Sequence, residues 1–129
     1  MKQINNELRE LLKNTRNTTI YNNCGIHTPL LSKWKNGIDF QTLDQVNRLA
    51  KTVNKQVVLD GTPDDIYKRI YDIVLYGSQD HSIINLGFIT GISIGTLANM
   101  RRGIKPSLTT LLTISEVLDL DIELELKDL

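Results

Sequence analysis

Gly25-Ile26-His27-Thr28-Pro29-Leu30-Leu31-Ser32-Lys33-Trp34-Lys35-Asn36-Gly37-Ile38 is written a second time, 66 positions on, as Gly91-Ile92-Ser93-Ile94-Gly95-Thr96-Leu97-Ala98-Asn99-Met100-Arg101-Arg102-Gly103-Ile104, with five identities in 14 positions. Each copy reads as a turn, a short helix and a stop. The opening glycine supplies a positive φ, the isoleucine after it fills a core, and the closing glycine ends the helix at C′. That is the grammar of two short helices joined by a tight turn.

The match extends in both directions once the register is allowed to slip. Downstream, Leu43, Val46, Leu49, Val53, Val57 and Leu59 fall on Leu108, Leu111, Ile114, Leu118, Ile122 and Leu124 at an offset of 65. Upstream, Ile4, Leu8, Leu11 and Leu12 fall on Ile66, Ile70, Ile73 and Val74 at an offset of 62. Apolar residues three or four apart make one face of a helix, so each copy is flanked by helices with a buried side. The chain is two copies of one small unit, and the length differences are confined to connections.

The periodicity predicts helices near 3–13, 16–23, 28–36 and 42–53 in the first copy, then a strand over Gln56-Val57-Val58-Leu59. Thr42 with Gln45 starts the fourth helix as a capping box. In Asp60-Gly61-Thr62-Pro63-Asp64-Asp65 a breaker, a cap, a proline and first-turn acids open the second copy at Pro63. Its helices are expected near 63–75, 82–89, 93–102 and 107–118, with Ser82 as an N-cap, followed by a strand over Asp121-Ile122-Glu123-Leu124-Glu125-Leu126. Ile122, Leu124 and Leu126 give that strand one dry face. The expected domains are 1–60 and 61–129.

At 129 residues, 40% hydrophobic and 23% charged, the chain is globular rather than disordered. Each copy is near the smallest size at which a core stands alone, so the halves should lean on each other. There is no apolar run of transmembrane length, and the N-terminus leads into a charged amphipathic helix rather than a signal core. A single cysteine, Cys24, excludes an internal disulfide framework and reads as a small buried residue. The expectation is a soluble protein of the cytoplasm, with no membrane partner.

Net charge is zero, but the charges are segregated. Residues 11–38 hold Lys13, Arg16, Lys33 and Lys35 with no acid, and residues 81–115 hold Arg101, Arg102 and Lys105 with no acid. The acids gather at Asp60, Asp64, Asp65 and Asp72 and again from Asp119 to Asp128. Solvated charge on helix surfaces does not explain why both basic blocks coincide with both turn-helix segments; a polyanionic partner does. Other chemistry finds little support. His27 and His81 have no Cys or His at metal spacing, no glycine-rich phosphate loop follows a strand, and Asp64, Asp65 and Asp72 belong to a helix start and its exposed face. The chain is not expected to be an enzyme, and no metal or other cofactor is expected.

Thr90-Gly91-Ile92-Ser93, Leu97, Arg102-Gly103-Ile104 and Pro106-Ser107-Leu108, with Leu86-Gly87 in place of the usual Leu-Ala, resemble the lambda-repressor-like, Cro-type (XRE) helix-turn-helix family. The first copy resembles it through Gly25-Ile26, Leu31-Ser32-Lys33-Trp34 and Asn36-Gly37-Ile38, with Tyr21 at the position of the small residue and Pro29 at the start of the recognition helix. The resemblance implies a mainly all-α fold of two tandem helix-turn-helix domains, each followed by a short strand. It also implies a recognition helix that presents its N-terminal residues to base edges in the major groove.

In the second copy, Ser93 would cap that helix and Ile94, Gly95 and Asn99 would face bases. Asn99 could pair bidentately with adenine and Ile94 could touch a thymine methyl, while Ser93, Thr96, Arg101, Arg102 and Lys105 would meet phosphates. In the first copy the matching base positions are Thr28, Pro29 and Lys33, with His27, Lys35 and Asn36 near the backbone. Two registers stand there, because with Thr28 as the cap Pro29 takes the first helical position and the helix shifts by one residue. Trp34 and Met100, at equivalent positions, read as core or wedge residues.

Similar terminal strands occur in the HipB-like branch of the family. Here both lie on one chain, so Val57 and Leu59 are expected to pair antiparallel with Ile122, Leu124 and Leu126 over the two fourth helices. The implied protein is a sequence-specific double-stranded DNA-binding regulator, a repressor of phage or mobile-element type. It would act as a single-chain pseudodimer, with a homodimer as the alternative, on half-sites roughly 10 base pairs apart. A second reading is a protein-binding inhibitor or antitoxin-like module that reuses the same helices against a regulatory protein.

Overall fold

The computed structural model describes residues 1–129 as eight helices and one two-stranded antiparallel sheet. In chain order these are α1 (Lys2–Leu12), α2 (Asn17–Cys24), α3 (Thr28–Lys35), α4 (Leu43–Thr52), β1 (Lys55–Leu59), α5 (Ile66–Gly77), α6 (Ile83–Thr90), α7 (Ile94–Arg101), α8 (Leu108–Val117) and β2 (Leu124–Asp128). No helix is long and apolar enough to cross a membrane. The chain divides into two compact units. The first is Met1–Asp64 together with Leu124–Leu129, and the second is Asp65–Glu123. The boundary expected at 60/61 therefore lies four residues early, and the second unit is an insertion whose chain returns to the first through β2.

The two cores are built from matched residues. Ile4, Leu8, Leu12, Ile20, Leu31, Trp34, Val46 and Leu49 are buried in the first unit, and their counterparts Ile66, Ile70, Val74, Leu86, Leu97, Met100, Leu111 and Ile114 are buried in the second. Leu11 departs from the expected face and is exposed. Helix starts follow side-chain chemistry: the hydroxyl oxygens of Thr42, Ser82, Ser93 and Ser107 accept from the backbone N–H groups of Gln45, Asn85, Thr96 and Thr110. Gly25 and Gly91 both end their helices at φ 73°, as the repeat requires.

The second unit does not open at Pro63. Asp60 and Gly61 both take positive φ, 52° and 76°, and Leu59 and Thr62 exchange backbone hydrogen bonds of 3.0 and 3.1 Å across them. This is a two-residue turn of the Asp-Gly kind, so the segment folds back on β1 and α5 starts only at Ile66.

The strands pair antiparallel as expected, with Val57 opposite Leu126 and Leu59 opposite Leu124. Ile122 is not part of the ladder. Its N–H bonds back to the Leu120 carbonyl at 2.9 Å, and β2 runs two residues further than the apolar alternation, ending where Lys55 meets Asp128 at 2.7 Å. The sheet lies on α4 and α1 of its own unit, and the Asn47 side chain of α4 accepts the Val57 N–H at 3.0 Å.

Candidate nucleic-acid interface

α3 and α7 are each anchored at the C-terminal end by two tethers, with a third on the loop that follows, and the tethers fall at equivalent positions of the two units. In the first, Arg9 Nε donates to the Trp34 carbonyl at 2.5 Å, and in the second the Tyr71 hydroxyl donates to the Met100 carbonyl. Next, Asn5 Nδ2 donates to the Phe40 carbonyl at 3.1 Å, and the Tyr67 hydroxyl to the Pro106 carbonyl. Finally, Lys35 Nζ donates to the Thr15 carbonyl at 2.5 Å, and Arg101 Nη2 to the carbonyls of His81 and, at 3.0 Å, Ser78. Helix C-termini and the loops beside them leave carbonyls without intrahelical donors, and these contacts satisfy several of them.

The chemistry of each tether differs while its place is kept. Asn5, fully buried, is a hub whose Oδ1 accepts from Trp34 Nε1 at 2.8 Å and from the Phe40 N–H at 3.3 Å. Arg9 also pairs with Asp39 and lies over the Trp34 ring, 5.4 Å from its centroid. In the second unit two stacked tyrosines occupy these places, with Tyr67 held above its ordinary pKa first by burial and then by Tyr71.

The tethers redirect two expectations. Lys35 and Arg101, read as phosphate contacts, are half-buried and donate to carbonyls of their own unit, so they position the helix rather than face a ligand. Of the other expected phosphate contacts, Arg102, Lys105, Asn36, His27 and Ser93 are exposed and Thr96 is half-buried. Lys105 reaches over the Tyr67 ring at 5.9 Å and keeps its charge at the surface.

The opposite, N-terminal ends of α3 and α7 are the open ones. Ser93 caps α7, shares its hydroxyl with that of Thr96 at 2.8 Å, and is followed by exposed Ile94 and Gly95. Asn99, one turn on, is half-buried, and its amide oxygen accepts from Arg102. That bond orients the amide and leaves its NH₂ as the donor end. In the first unit the cap position is His27, so α3 begins at Thr28 with Pro29 second, and the one-residue shift does not occur. Thr28 is half-buried, while Pro29 and Lys33 are exposed.

The turns differ where Gly87 and Tyr21 correspond. A Cβ on Gly87 would meet the Ile92 carbonyl oxygen at 3.2 Å, so α6 and α7 approach closely. Tyr21 instead stacks its exposed ring on that of His27, centroids 5.6 Å apart. Asn17, on which the sequence reading made no claim, opens α2, donates to the Ser32 hydroxyl of α3 at 3.0 Å and has its Oδ1 buried without a partner. No three His, Cys, Asp or Glu side chains converge as metal ligands would.

The tethers through Asn5, Tyr67, Arg9 and Tyr71 were missed because the upstream repeat shows itself only through apolar residues. Asn5 falls on Tyr67 and Arg9 on Tyr71 at the same offset of 62, without identity. Comparison of the chain with protein-family models, with curated proteins and with solved structures finds no match.

Proposed function

We propose that the protein is a sequence-specific double-stranded DNA-binding regulator, of the repressor kind, that reads the major groove with α3 and α7. The observation that carries this reading is the matched anchoring of both helices. Each is held at its C-terminal end by two equivalent tethers, with a third on the loop that follows, and left open at its N-terminal end, within a segment that holds cations and no acid. A helix offered N-terminus first suits a groove whose floor carries base edges and whose walls carry phosphates. Lys33 and Thr28 in one unit, and Ile94, Gly95 and Asn99 in the other, form unlike reading surfaces, so the site is expected to be asymmetric. This reading treats both units as helix-turn-helix domains of one chain.

A second reading, a protein-binding inhibitor or antitoxin-like module, is favoured by one observation: α6 exposes Ile84, Phe88 and Ile89 and carries no charged side chain. A mobility shift on random duplex at low and moderate salt separates the two. The regulator binds any duplex weakly and loses that binding as salt rises, because displaced counterions supply the driving force. Absence of binding at low salt would favour the protein-binding module.

A further inference from the structure

α7 ends on a fixed stop that holds two polar side chains next to each other. The Asn99 carbonyl accepts the backbone N–H of Arg102 at 3.0 Å and that of Ile104 at 2.9 Å, with Gly103 between them at φ 89°. Over this stop the exposed Arg102 guanidinium donates to the side-chain oxygen of half-buried Asn99. A guanidinium has donors only, so the bond decides which end of the amide is which. The oxygen is turned to Arg102, and the NH₂ is left for a ligand.

The first unit has the same stop with the two chemistries exchanged. The Lys33 carbonyl accepts from the N–H groups of Asn36 and Ile38, each at 3.1 Å, and Gly37 takes φ 109°. Lys33 stands at the place of Asn99 and Asn36 at that of Arg102, so each unit sets one cation and one amide a helical turn apart. The earlier position of each pair presents donors: an ammonium in α3, and in α7 an amide whose acceptor is already engaged.

We propose that Arg102 sets the base preference of α7 through Asn99, and that the base read there is guanine rather than adenine. An amide selects adenine by using both ends, donating to N7 and accepting from the N6 amino group. Here the acceptor end faces a guanidinium. The oxygen keeps a second lone pair, but an amino group arriving there would bring its positive hydrogens against a cation already in place. What remains is the NH₂, which matches the two acceptors of guanine, O6 and N7. The inference rests on the reading of α7 as a groove-reading helix, and it makes Arg102 a positioning residue as well as a phosphate contact.

The test selects bound duplexes from a random pool at one salt concentration, using the full chain as wild type, Asn99→Ala, Arg102→Ala and Arg102→Lys. Competition among single-base variants of the selected site then reads each preference, with thermal unfolding as the control for folding. Asn99→Ala identifies the base pair, because preference is lost there alone. At that pair the wild type should favour guanine, and Arg102→Ala should lower the guanine-over-adenine ratio at least about tenfold. Arg102→Lys, which keeps a charged donor, should restore most of it. A residue that touched only phosphate would weaken binding to all sequences alike. Adenine at that pair in the wild type, or a ratio that Arg102→Ala leaves unchanged, overturns the inference and leaves groove reading intact. So would an Asn99→Ala profile altered at no single pair. A pool without any motif would remove the groove reading and the inference with it.

Discussion

The paired helices α2–α3 and α6–α7 are held alike and dressed differently. Below the surface, Lys35 and Arg101 tie their helices to the preceding loop, and Arg9 and Tyr71 reach the same carbonyl position from the first helix of each unit. Above it, α2 offers Thr18, Thr19, Asn22 and Asn23 where α6 offers Ile84, Asn85, Phe88 and Ile89. What the two units have in common is therefore a set of places where donors must be, not the residues that supply them. A repeat under that constraint keeps its scaffold while its faces diverge: α2 exposes hydroxyl and amide side chains where α6 exposes Ile84, Phe88 and Ile89.

The largest expected effect breaks the comparison in the core. Trp34→Ala removes the biggest fully buried side chain together with the indole donor to Asn5 and the ring under Arg9, and should cost about 3–5 kcal/mol. Met100→Ala, at the matching place, leaves a smaller void and no orphaned side-chain partner, and should fall nearer the lower end of about 2–5 kcal/mol. Urea denaturation of each variant decides the order; a smaller loss at Trp34 would mean that the two cores are not equivalent in design.

Next in size is the contrast between two neighbours. Arg101→Ala should lower stability by about 1.5–3 kcal/mol, because charged hydrogen bonds to two carbonyls disappear, and should leave the salt dependence of DNA binding unchanged. Arg102→Ala should change stability by less than about 0.5 kcal/mol and reduce the log–log salt slope by about 1. If the roles come out reversed, the tether is not what holds α7.

A third pair sharpens the difference between the heads. Asn99→Ala and Lys33→Ala should each cost on the order of 1–3 kcal/mol, at different base pairs of one site, when binding is measured over single-base variants of that site. Loss at the same base pair, or a uniform loss for Asn99→Ala, would show that the reading register is wrong.

The smallest effect belongs to the sheet. The hydrogen bond from Lys55 and the charge of Lys55 hold the Asp128 carboxyl below its ordinary pKa. A carboxylate with a lowered folded-state pKa adds stability above its unfolded value near 3.8 and loses it as pH falls through the folded value. Asp128→Asn should therefore flatten the acid limb of a stability profile below about pH 4 and change little at neutral pH. An unchanged acid limb would remove Asp128 from the ladder's energetics.

Much of the scaffold was legible because it is written in period and punctuation. Apolar spacing located all eight helices, the caps Thr42, Ser82 and Ser93 marked three of their starts, and the antiparallel pairing of Val57 and Leu59 with Leu124 and Leu126 was expected, though Ile122 stays outside the ladder. What escaped was written in other terms. Asp60-Gly61 reads equally as a linker breaker or as a two-residue turn, and only the bridge between Leu59 and Thr62 decides it. Lys127 and Asp128 extend β2 through a cross-strand ion pair that alternation does not register. Lys35 and Arg101 looked like surface cations because a charge count is blind to where a long side chain turns.

Of the residues expected to form the reading surface, Ser93, Ile94, Gly95 and Thr96 lie at the N-terminal end of α7 and Asn99 lies in its last turn. The exposed apolar side chains of α6 were written plainly in Ile83-Ile84-Asn85-Leu86-Gly87-Phe88-Ile89, yet a short helix with apolar residues on several faces does not say from sequence which of them are left outside.

The central claim is that two unlike helices on one chain read one stretch of DNA. Selection of bound duplexes from a random pool tests it most directly, carried out with the wild-type chain and with Lys33→Ala. The wild type should enrich a bipartite motif with two different half-site sequences, and Lys33→Ala should relax one half while keeping the other. A pool with no motif, or a motif built from a single half-site sequence that Lys33→Ala leaves intact, would contradict it.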